Sequence, residues 1–130
     1  MLPAAVRMRS SDDFRATARG ARSGRPCVVV HARSVPPTDQ SPNQQTNQRP
    51  DANIRVGFVV SKSVGGAVVR NRVKRRLRHA VAEHLPSTPS DTHVVVRALP
   101  SAANATWATL REELAGAWHG AVRRAGREQR

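Results

Sequence analysis

The residues best equipped for chemistry lie in the stretch "VVSKSVGGAVVRNRVKRRLRH", positions 59–79. Six Arg or Lys fall between Arg70 and Arg78, and no Asp or Glu stands anywhere from Val59 to Ala82. Solvated helices normally mix acids with bases, because like charges at i,i+4 spacing cost about 0.2–0.5 kcal/mol per pair. A run without that relief reads as a surface for a polyanion. Guanidinium groups suit this purpose, since their planar fork of donors grips phosphate and stacks on bases.

The whole chain has the same bias. Its 130 residues carry a net charge of +13. Such an excess repels itself unless a polyanion relieves it, with nucleic acid the first candidate partner and a membrane surface the second. The basic residues are all Arg except Lys62 and Lys74. Coding bias in a GC-rich genome produces the same skew, so total charge, and not Arg over Lys, points to a polyanion.

Other chemistries find little support. Cys27 and His31 are four apart in a β-branched run, about 13 Å along a strand, too far to share an ion. His79, His84, His93 and His119 have no Cys at zinc spacing. The nine acids are scattered, and the adjacent pairs Asp12–Asp13 and Glu112–Glu113 suit a helix cap and a helix surface. Metal-dependent hydrolysis usually needs clustered carboxylates. There is no phosphate loop ending in Lys-Ser/Thr and no nucleophile elbow; "VGGAV" at 64–68 reads as a turn from strand to helix. No catalytic side chain and no protein-bound metal are expected.

A single Cys excludes an intramolecular disulfide and fits a reducing compartment. "MLPAAVRMRSS" holds no apolar stretch of signal-peptide length, and no segment is long and apolar enough to span a bilayer. The expectation is a cytoplasmic protein without a membrane partner.

The elements that must position the basic run follow from patterning. "SSDDFRATARG" (10–20) predicts a short helix with a Ser cap, acids at its positive end and a closing Gly. "PCVVVHAR" (26–33) and "IRVGFVVS" (54–61) predict strands. Between them, residues 34–53 are Pro, Gln, Asn, Ser and Thr almost throughout, which predicts a disordered connection between two paired strands. Residues 65–85 predict a helix with Val69, Val73, Leu77, Ala80 and Val81 on one face, stopped by Pro86. A third strand is expected over 91–99. A last helix is expected over 106–126, with Trp107, Leu110, Leu114, Trp118 and Val122 along one face. The order α-β-β-α-β-α predicts one α+β domain over 1–130, a two-layer sandwich of a sheet with helices packed on it.

A leucine-zipper basic region would need heptad leucines after the Arg run, and Pro86 stands there instead. A helix-turn-helix would need a helix shortly before Arg70, where a strand is predicted. A basic helix supported by a sheet favours structured RNA read by shape and backbone. A general RNA-binding or ribosomal protein and a DNA-associated architectural protein remain alternatives at this level.

The run "VSKSVGGAVVRNRVKRRLRHA" closely resembles the signature of the protein subunit of bacterial ribonuclease P. That pattern is a strand ending in V-S-K, a glycine-containing turn and A-V-x-R-N-R-x-K-R-x-x-R. It is matched by Ser61, Lys62, Gly65, Ala67, Val68, Arg70, Asn71, Arg72, Lys74, Arg75 and Arg78. "DDFRATARG" and "HVVVRALPSA" agree more weakly, and residues 38–52 read as an insertion.

The resemblance implies a fold shared with a ribosomal-protein domain, with a left-handed strand–helix–strand crossover, an exception to the usual handedness. It implies endonucleolytic removal of the 5′ leader from precursor tRNA. The chemistry would come from a catalytic RNA and Mg²⁺ ions held by that RNA and the substrate. By matched position, Arg70, Asn71, Arg72, Lys74, Arg75 and Arg78 would face the catalytic RNA, with Arg7 and Lys62 extending the basic surface. Phe14 and His31 would line a groove for the leader, where an aromatic can stack on a base. Three positions depart from the family pattern: Ala18 replaces a second groove aromatic, His31 replaces a common Tyr, and Ser63 replaces a common Lys.

Overall fold

A computed structural model describes residues 6–35 and 54–128. Three helices and four strands follow in the order α1 (Ser11–Ala18), β1 (Ala21–Gly24), β2 (Val28–Ser34), β3 (Arg55–Val59), α2 (Ala67–Ala82), β4 (Thr92–Ala98) and α3 (Trp107–Glu128). Short 3-10 turns occupy Leu85–Ser87 and Pro100–Ala103. The strands form one sheet in the order β1-β2-β4-β3, with β4 antiparallel to β2 and parallel to β3. The α+β sandwich expected from the sequence is the architecture observed.

Two details of the sheet differ from expectation. The chain has an additional strand, β1, paired in a hairpin with β2. Its sequence "ARSG" lacks an apolar signal because its inward residues must be small. The third helix lies so close that a Cβ on Gly120 would stand 2.6 Å from Ser23 Oγ. Secondly, β2 and β3 do not pair with each other, since β4 lies between them. β4 is the more thoroughly buried partner: Val94, Val95 and Val96 are all buried, whereas β3 carries Arg55 and a partly exposed Phe58 and Val59. The more apolar strand takes the central position, covered on both faces. The insertion expected at 38–52 lies outside the described residues.

Inward residues of the sheet, including Val28, Val30, Val56, Val94 and Val96, meet Val73, Leu77, Ala80 and Val81 of α2 and Leu110, Leu114, Ala117 and Trp118 of α3. The indole N–H of Trp118 donates to Thr88 Oγ1 at 3.1 Å, and its ring stacks on His84. On the opposite face lies α1. Ser10 Oγ accepts from the Asp13 N–H, and the Gly20 N–H closes the helix on the Thr17 carbonyl.

The second helix is shorter than predicted, ending at Ala82 before the Pro86-bearing turn. Gly66 stands at its N-cap without a side-chain cap, and its first turn has no acid. Packing of its apolar face therefore holds it in place, as expected for a helix of weak intrinsic stability. Trp107, expected on the buried face of α3, is 39% exposed. It precedes Leu110 by one turn, and the core reaches only as far as Leu110.

Candidate nucleic-acid interface

Successive residues of a helix are rotated by about 100°. On α2 this rotation divides the basic residues into three stripes around the buried line of Val73, Leu77 and Ala80. Asn71 and Arg75 point directly away from the core. Lys74 and Arg78, with Arg70 nearer the core, lie on the flank facing β3 and α1. Arg72 and Arg76 lie on the other flank, facing the segment that leads into α3.

The first flank meets α1. Arg7, Phe14, Gly57, Phe58, Lys74 and Arg78 bound a small cleft of about 160 Å³. Phe14 is brought there by Gly57, because a Cβ at that position would lie 2.3 Å from Phe14 Cε1. Only a glycine leaves the ring room against β3. The N-terminal segment joins the same edge: Arg7 bridges Val56, and the Met8 N–H donates to the Val56 carbonyl at 2.9 Å. Four residues singled out in the sequence, Arg7, Phe14, Lys74 and Arg78, thus converge. The buried Nε of Arg70 has no hydrogen-bond partner.

The second flank is tied down. Arg72 donates to the Ala103 carbonyl at 3.1 Å and Arg76 to the Ala105 carbonyl at 3.4 Å. Arg72 therefore fixes the approach to α3 while its remaining donors stay available. Arg76 and its contact were not singled out by sequence, although its helical angle alone places it beside Arg72. Lys62 stands exposed in the turn before α2.

His31 lies apart from this group. It shares the α1 face of the sheet with Gly57, but β4 separates the two, since His31 is opposite Val95 and Val95 is opposite Gly57. Two strand spacings put it about 10 Å from Gly57. The imidazole is 7% exposed, and neither ring nitrogen has a hydrogen-bond partner. Burial, followed by the charges of Arg97 and Arg22, lowers its pKa and favours the neutral ring. Burial likewise lowers His93 to about 4.

Three acids near the helices are engaged singly. Glu83 holds Arg111 through two hydrogen bonds. Glu113 accepts from the Cys27 N–H, and burial together with that carboxylate pushes the Cys27 thiol up to about 12. Asp13 pairs with Arg33 at 3.5 Å. What the α2 surface offers a ligand is positive charge and hydrogen-bond donors, flanked by the Phe14 ring on one side and the Trp107 ring on the other. Among the described residues no helix is long and apolar enough to cross a membrane.

Comparison with known proteins bears on this surface. A model of the Ribonuclease P family matches residues 2–122. The Ribonuclease P protein component of Streptomyces bikiniensis is 50% identical over 115 residues, which cover 88% of this chain and 89% of that protein. The Ribonuclease P protein component of Salinispora tropica is 47% identical, with both chains covered in full. Among solved structures, the RNase P protein from Staphylococcus aureus superposes with a TM-score of 0.67 at 25% identity, covering 94% of each chain.

Proposed function

The chain belongs to the Ribonuclease P protein family, and from that premise we propose that it binds the catalytic RNA of ribonuclease P through α2 and the 5′ leader of precursor tRNA near Phe14. In this role it assists endonucleolytic release of the leader in the cytoplasm. The observation that carries the proposal is the acid-free outer surface of α2, held in register on a sheet and continuous with the Arg7–Phe14–Lys74–Arg78 cleft. A rigid row of cations lowers the repulsion between two RNA backbones and contributes a salt-sensitive share of affinity.

The residues each have a part. Asn71 and Arg75 face outward toward RNA phosphates and base edges, with Arg70 and Arg72 at their sides and Lys62 extending the charge beyond the helix. Arg7, Lys74 and Arg78 surround a ring on which a leader base can stack. His31, buried and neutral, supports the sheet beneath and offers a ring edge only if the leader opens access to it. Mg²⁺, when bound, would supply Lewis-acid activation of water. We assign its ligands to RNA, because among the described residues no three His, Cys, Asp or Glu side chains come together where they could hold a metal ion.

The test is cleavage of a precursor tRNA by the Streptomyces bikiniensis ribonuclease P RNA at low Mg²⁺, with and without this protein. Leader release that depends on the protein is expected. Binding of the RNA without stimulation of cleavage would favour a general RNA-binding role instead.

A further inference from the structure

Resting on that reading, we propose that Trp107 and the outer edge of α2 form a second RNA contact, a stacking platform for one unpaired nucleobase of the catalytic RNA. The site lies on the flank of α2 opposite the Phe14 cleft. Trp107, Arg75, Arg76 and His79 border a shallow, open depression of about 310 Å³.

The two tryptophans of the chain have opposite fates. Trp118 is 1% exposed with its N–H satisfied, whereas Trp107 is 39% exposed. The exposed indole is held firmly. Arg72 and Arg76 fasten the segment before it through the Ala103 and Ala105 carbonyls. Thr106 caps α3 by accepting from the Thr109 N–H at 3.1 Å, and the Leu110 N–H bonds the Thr106 carbonyl at 2.9 Å. A ring presented on a fixed backbone loses little entropy when a ligand covers it.

The surroundings select the ligand. Arg75 and Arg76 bring positive charge to the indole, and α2 has no acid to offset them. An apolar peptide would bury those charges without compensation, while a nucleotide supplies a phosphate for the guanidinium groups and a base for the indole. His79 Nδ1 lies 3.1 Å from the Arg75 carbonyl and donates to it, which leaves Nε2 for a hydrogen bond to the edge of a base. Paired bases keep both faces within their own stack, so the occupant is an unpaired one. The platform also continues the outward stripe through Arg75, so one RNA can cover both.

The experiment is a binding titration of the full chain with the Streptomyces bikiniensis ribonuclease P RNA across a salt series. The variants are Trp107→Ala and Trp107→Phe. Base stacking is lost in the first and kept in the second, so Trp107→Ala is expected to weaken binding about tenfold and Trp107→Phe to recover most of it. The slope of log affinity against log salt should be unchanged, since no phosphate contact is removed. The thermal midpoint should not move. Equal affinity for the parent and Trp107→Ala would overturn the site alone and leave this face to a protein partner. A loss accompanied by a lower midpoint would overturn it in favour of a structural role. A parent chain that fails to bind the RNA would overturn the functional reading and the site together.

Discussion

The two faces of α2 differ as sharply as any two regions of the molecule. One face, Val73, Leu77, Ala80 and Val81, is fully enclosed by the sheet and α3. The other carries Asn71 and Arg75, and the helix itself has no acid to pair with the arginine. Sixteen residues thus serve two purposes kept about half a turn apart. The inner face supplies the free energy that holds the helix against its own charge repulsion, and the outer face is thereby free to be almost wholly cationic. The flanks between them do both: Arg72 and Arg76 spend one donor each on backbone carbonyls and keep the rest.

This division can be broken by substitution. Leu77→Ala should have the largest effect, lowering the unfolding free energy by about 3 kcal/mol in denaturant titration, because it leaves a cavity among fully buried neighbours. Arg72→Ala should fall between the two faces. Loss of its hydrogen bond to the Ala103 carbonyl should cost about 1 kcal/mol of stability, and RNA affinity should drop as well. A variant that loses affinity with no change in stability would move Arg72 from the flank to the outer group.

Much of this arrangement is legible in the sequence. The acid-free run, the apolar spacing of α2 and the Val-rich strands can each be read from neighbours a few residues apart, because burial imposes helical or strand periodicity directly. The Phe14 cleft is different. It depends on Gly57 allowing the ring onto β3, and on Arg7 adding to the same edge, both long-range contacts with no local pattern. β1 was hidden for a related reason, since close approach of α3 demands small residues at Ala21 and Ser23 and so removes the apolar signal of a strand. The pairing of β2 with β3 that the sequence order suggests does not form, because proximity in sequence says nothing of a third strand placed between them. Trp107 fits the apolar spacing of α3, but periodicity does not indicate where the core ends.

The most direct test of the account is the salt dependence of RNA binding by Arg75→Ala beside the parent chain. Arg75 points straight out from the core, so its removal should change stability by less than about 0.5 kcal/mol. The account predicts weaker binding and a slope of log affinity against log salt that is shallower by about one, the signature of one lost phosphate contact. An unchanged slope and affinity, with the protein still folded, would contradict the claim that the outer face of α2 binds the RNA.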